Sequence, residues 1–166
     1  MKELLIKLKA CSEAREWAAD KTWKEIYTTC HRGDWLLWLF KKTNPDDLQL
    51  LTLTKGHCAN TVRHLIKDER SIKAIDVAIA FGKGKATREE LDNAAYAAAA
   101  NAAYAVAAYA AYAAYAAAAD AVYAAAAYAA NAVYDAYATD DAKKHNQQLT
   151  ADICRMYLPI EIWNIS

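Results

Sequence analysis

One stretch restricts the fold more than any other. From Leu91 to Ala142 the chain is mostly alanine, broken by tyrosines and containing no glycine or proline. Alanine loses least on entering a helix, because it has no side-chain rotamers to freeze and no polar group to bury. The stretch is therefore predicted to be helical. At about 100° per residue, Tyr104, Tyr115 and Tyr137 fall near one line. Tyr112, Tyr123 and Tyr134 form the adjacent line, with Tyr109 beside them. These rings fill a sector of roughly 140°. Tyr96 and Tyr128 point elsewhere, and the face opposite the sector is mostly methyl groups, where a partner backbone can come close.

A constant shift maps Tyr96, Asn101, Tyr104, Tyr109 and Tyr115 onto Tyr115, Asp120, Tyr123, Tyr128 and Tyr134, as a duplication would. A single helix from Thr87 to Ala142 would run about 80 Å. A domain of this size has a radius of gyration near ~15 Å. A break is therefore predicted near Asp120 or at Thr139-Asp140-Asp141, where short polar side chains compete for backbone hydrogen bonds.

The 166 residues suggest one domain that buries its own core. Twenty basic and twenty acidic side chains cancel. General nucleic-acid binding needs a basic excess, so it is not expected. Cys11, Cys30, Cys58 and Cys154 are too scattered for a disulfide scaffold and suggest a reducing cytoplasm. The charged opening Met1-Lys2-Glu3 is unlike a secretory leader. Tyr, Asn and Asp interrupt the alanine stretch too often for a membrane span.

In chain order, Leu4 to Leu8 start a short amphipathic segment. Ser12 is predicted to cap a helix carrying Trp17. Thr22-Trp23-Lys24-Glu25 is a capping box. Cys30-His31-Arg32-Gly33 is predicted to end that helix, with Gly33 as a left-handed cap and Asp34 capping the next, Trp35 to Phe40. Pro45 is placed at a first helical position before a helix from Leu48 to Ile66, in which Gly56 either weakens the helix or admits a close neighbour. Ser71 is predicted to begin a further helix through Phe81. Thr87-Arg88-Glu89-Glu90 is a second capping box. Beyond Lys144 a last helix carries Leu149, Ile153 and Met156, and a tail with Trp163 packs back after Pro159. The expected fold is all-α: short tryptophan-bearing helices over 1–82 laid against the alanine-tyrosine scaffold of 87–142, with a helix and tail over 143–166 in the same domain.

The candidate binding residues are Arg32, Trp35, Trp38, Arg63, His64, Tyr104 and Tyr112. A guanidinium suits phosphate, an indole offers a face to a planar base, and phenols suit ribose hydroxyls. The ordinary alternatives are both tryptophans in the core, satisfied histidines, and tyrosines in a bundle interior. Arg63 and His64 are placed to line an anion pocket with Lys55 or Lys67, lysines that otherwise belong to a solvated helix face. His57 and His64 are separated by about 10 Å of helix rise, too far to share a metal without other helices. No CxxC, HExxH, nucleophile elbow or phosphate loop is present. Neither metal nor cofactor is expected.

The run Cys11-Ser12-Glu13-Ala14-Arg15-Glu16-Trp17, then Trp23, then Cys30-His31-Arg32-Gly33-Asp34-Trp35-Leu36-Leu37-Trp38, followed by an Ala-Tyr-Ala-Ala tract, resembles a family of alanine-rich immunity proteins of bacteria and phages. The resemblance implies a small cytoplasmic protein, in the host cytoplasm if phage-encoded, that neutralises its target by binding and catalyses nothing. For a phage member it implies an anti-defence sponge that sequesters a small anionic nucleotide signal. The alternative is an immunity protein that blocks a bacterial toxin by direct contact. A homo-oligomer joined through the alanine face is also expected.

Overall fold

The structure is a computed structural model. It describes the backbone of residues 1–105 and 140–165, and the side chains of 1–99 and 141–165. Eight α-helices lie among the described residues: α1 Lys2–Lys7, α2 Ser12–Trp17, α3 Trp23–Thr29, α4 Gly33–Thr43, α5 Leu48–Asn60, α6 Glu69–Gly82, α7 Arg88–Ala105 and α8 Asp140–Tyr157. Two 3₁₀ turns, Arg63–Leu65 and Ile160–Ile162, complete the regular structure, and no described residue is in a strand. The predicted all-α class is the one observed. The predicted break near Asp120 lies outside the described residues. Asp140 and Asp141 of the other predicted break are helical, so α8 already includes the residues ahead of Lys144, beyond which it was expected to begin.

Helix starts follow their capping chemistry. Thr22 Oγ1 accepts from Glu25 N while Thr22 N donates to Glu25 at 2.7 Å, so both capping-box bonds form. Thr87 and Glu90 repeat the arrangement ahead of α7. Several starts differ from expectation. α4 begins at Gly33 behind Arg32, not behind Asp34. Cys11, not Ser12, precedes α2. Asp68, not Ser71, caps α6, accepting from Ser71 N at 3.0 Å. Pro45 stays in the turn before α5, which begins at Leu48. That helix ends at Asn60 rather than Ile66.

α4 is the central helix. Leu36, Leu37, Leu39 and Phe40 are all buried, because α5 and α8 pack on it and the N-terminal helices cover what they leave. α8 lies against both α4 and α5 and contributes the fully buried Ala151 and Cys154, and Leu158 just beyond its end is fully buried too. The tail returns as expected: Trp163 meets Phe40 edge-on at 5.0 Å and its Nε1 donates to Leu158 O at 2.9 Å. Asn44 fixes it further, donating to Ile162 O at 2.8 Å.

Glycines set two helix contacts. Gly33 is the first residue of α4, not a left-handed cap. A methyl group there would lie 2.5 Å from Thr150 Oγ1, so its absence is what lets α8 approach. At Gly56 a methyl group would lie 2.8 Å from Ile79 Cγ1, and α5 and α6 pack tightly there. Of the two expectations for Gly56, close approach is the one realised.

On the far side of α6, Ala74 and Ala78 meet Leu91, Ala94, Ala95 and Ala98 of α7. Those four α7 residues recur at helical spacing and form one stripe. Tyr96, on the other side of α7, is 77% exposed. Among the described residues no helix is long and apolar enough to cross a membrane.

Candidate functional site

The N-terminal half encloses a cleft of about 640 Å³. Its walls come from α1, α2 and α4, the middle of α3 contributes Ile26 and its C-cap Cys30, and α5 adds Lys55. The volume falls within the range of small-molecule sites, about 300–1,000 Å³. Buried Leu5, Ala10, Ala18, Leu36 and Leu37 make its depth apolar. Three indoles, Trp17, Trp35 and Trp38, line it, all partly exposed.

The indoles do not form a parallel slot. The Trp17 and Trp35 rings are 5.9 Å apart at the centroids and inclined by 59°. A flat ligand therefore lies on one ring face rather than between two. Lys21 sits over the Trp17 ring at 4.5 Å, its ammonium bonded to Trp17 O. Arg32 covers Trp35 at 4.7 Å. These cation–π contacts hold the rings in place.

Four cationic side chains line the cleft, Lys9, Arg32, Lys41 and Lys55, against two carboxylates, Glu13 and Asp34. In a chain of zero net charge, this gives the cleft a local positive excess. Such a concave, low-dielectric patch focuses potential and attracts anions.

Arg32 is not placed as the sequence predicts. α3 ends at Thr29 with Cys30 as its cap, and Arg32 precedes the first turn of α4. The helix dipole there favours an anion, and Asp34 supplies it. Arg32 Nε and Nη2 donate to the two Asp34 oxygens at 2.8 and 2.7 Å, and Nη1 reaches Glu13 at 3.5 Å. This bidentate bond to Asp34 pushes the guanidinium's pKa up further. Arg32 therefore braces α2 to α4 and backs Trp35, and an incoming phosphate would first have to displace Asp34.

Arg32, Trp35 and Trp38 do come together in one cleft. Arg63 and His64 do not join them: they lie in the α5–α6 connection and line no part of it. Arg63 pairs with both Asp76 oxygens, Nη2 donating at 2.9 Å, and His64 is exposed. The Tyr104 side chain and all of Tyr112 lie outside the described residues. Sequence reasoning missed Trp17 as a wall and Lys9 and Lys41 as cleft lysines, and it grouped Lys55 with Arg63 and His64 rather than with this cleft. Trp17 had a signal in its motif, whereas the lysines reach the cleft through packing that no local pattern reports.

Of the two cysteines that line the cleft, Cys11 is exposed and Cys30 is buried and held as a thiol. Burial pushes the Cys30 pKa up, and its Sγ–H donates to Arg32 O at 3.5 Å. The neighbouring Cys58 thiol and burial also push the Cys154 pKa up, and its Sγ–H donates to Gly33 O at 3.5 Å. All four cysteines are free. Among the described residues no group of three or more His, Cys, Asp or Glu side chains is placed to hold a metal ion.

Comparison with protein-family models, with curated proteins and with solved structures finds no match to this chain.

Proposed function

We propose that this protein sequesters a small anionic ligand with a planar ring, of the nucleotide class, in the cleft between α1, α2 and α4. The observation that carries the reading is the meeting of three indoles with a local positive excess in one concavity of about 640 Å³. Indole faces take any base by stacking, and the cations select for phosphate. The resemblance to alanine-rich immunity proteins supports capture without catalysis. For a phage-encoded chain the captured molecule would be a nucleotide signal of bacterial defence, held in the host cytoplasm by a homo-oligomer.

Thermal shift against cyclic di- and trinucleotides and ADP-ribose derivatives tests the reading. A ligand at a hundred times its dissociation constant adds about 2.7 kcal/mol to stability and raises the melting temperature. A flat response to every member of the panel, with tryptophan emission unchanged, overturns it. Recovery of an altered ligand would instead make the protein an enzyme, and light scattering reads the oligomer directly.

A second reading, direct blocking of a toxin protein, has one observation in its favour. Met156 is 73% exposed and Leu149 40% exposed, two turns apart on one side of α8. Apolar side chains of this kind anchor protein interfaces. A Met156→Lys variant that loses toxin protection while keeping nucleotide binding would favour this reading.

A further inference from the structure

We propose that Lys9, rather than Arg32, receives the anionic group of the ligand bound in the tryptophan cleft; the inference rests on that cleft being the binding site. α1 ends in a Schellman motif: Lys9 N donates to Ile6 O at 3.0 Å and Ala10 N to Leu5 O at 2.9 Å. The motif puts Lys9 at φ 61°, and among the described residues no other non-glycine side chain has a positive φ. Glycine is the usual occupant, because an L side chain there crowds the following carbonyl. Asparagine and aspartate tolerate the position through local hydrogen bonds, and lysine has no such bond to offer.

A lysine at a glycine position breaks a local rule, and such breaks concentrate where function asks for them. Here the left-handed residue is itself part of the cleft wall. The Lys9 ammonium has no hydrogen bond or ion pair with any described residue. Arg32, by contrast, already has Asp34 on its fork and Trp35 beneath its plane. Of these two cleft cations, Lys9 is the one whose donors are free for a ligand. Its compact charge on a flexible stem suits a phosphate, sulfonate or carboxylate at the α1 end of the cleft, with the ring on the indoles.

The test uses the full chain and two fluorescent probes of similar shape, the anion 8-anilinonaphthalene-1-sulfonate and the uncharged N-phenyl-1-naphthylamine. Wild type is expected to bind the sulfonate more tightly than the amine, with quenching of tryptophan emission. Lys9→Gly and Lys9→Gln are each expected to weaken the sulfonate about tenfold and leave the amine unchanged. Lys9→Arg restores the sulfonate. Equal sulfonate affinity in wild type and Lys9→Gly overturns the role of Lys9 and leaves the cleft reading standing. Parallel loss of both probes in Lys9→Gly and Lys9→Gln also overturns it, since a purely structural residue behaves that way. Wild type that binds neither probe overturns the inference and the cleft reading together.

Discussion

Arg155 and Tyr27 grip each other from both ends. Arg155 Nε donates to Tyr27 O at 2.7 Å, while the Tyr27 hydroxyl donates to Arg155 O at 3.2 Å. Arg155 also bonds Cys30 O and is steadied by Asp152 at 2.7 Å. The guanidinium thus closes the C-terminal end of α3, where unsatisfied carbonyls and the negative end of the dipole favour a cation. The link fixes the strand of chain that leads into Arg32 and Trp35.

Removing that guanidinium leaves two carbonyls without their partner. Arg155→Ala is expected to lose about 2–3 kcal/mol, in line with hydrogen bonds to a charged group. Urea unfolding followed by circular dichroism measures it. Arg155→Lys, which reaches only one carbonyl, should recover part of the loss.

Gly33→Ala should be destabilising by about 1–3 kcal/mol, the range for overpacking. In an uncrowded first turn alanine would instead stabilise, so the sign of the shift in melting temperature reports the contact with Thr150. A companion Thr150→Ala change should relieve only part of the loss, because it removes Oγ1 but leaves the Thr150 carbonyl carbon and Cβ at 2.6 and 2.7 Å.

Lys9→Gly should stabilise the fold by about 1 kcal/mol through release of the left-handed strain. A gain in thermal stability beside a loss in anion affinity would mark a residue kept at odds with its backbone.

Acid should weaken the protein in two stages. His57 Nε2 is buried without a hydrogen-bond partner, and its ring stacks on Tyr157 at 4.5 Å. Burial, and then the charge of Lys83, hold its pKa below the usual 6.5. The unfolded chain therefore takes up that proton first. Stability is full above about pH 6.5 and falls as the pH drops through the lowered folded value. Asp76, lowered by Arg63, and Asp68, tied to Ser71 and Arg70, lose their contribution only in the carboxylate range below. Melting temperatures between pH 7.5 and 5.5 should fall in wild type and stay level in His57→Phe, which keeps a ring on Tyr157.

Binding should depend on particular indoles. Trp35→Ala and Trp17→Ala are each expected to cut nucleotide affinity about tenfold or more, given ~1–3 kcal/mol for a stacked base. Trp23 is the control: it packs on Trp163 at 4.8 Å and lines no part of the cleft, so Trp23→Phe should leave affinity unchanged.

The legible parts of this fold are the local ones. Thr22 with Glu25 and Thr87 with Glu90 declare helix starts within four residues, and both form. Arg32, Trp35 and Trp38 are close in sequence, so their meeting in one cleft needed little tertiary knowledge. Gly33 misled because a glycine after an apolar helix usually caps it; here the deciding contact, Thr150, is far along the chain. Arg63 misled because its partner, Asp76, sits on the following helix, and a charged side chain alone does not reveal its counter-ion. Lys9 carried no signal at all, since its unusual backbone angle is set by the end of α1 rather than by its own chemistry.

α8 backs α4, yet more than a hundred residues separate Gly33 from Thr150, Tyr27 from Arg155 and Phe40 from Trp163. During translation, every helix that lines the cleft leaves the ribosome long before the one that braces it. A nascent chain therefore exposes Leu36 and Phe40 until α8 arrives, and a prematurely terminated product is a target for proteolysis rather than a captor.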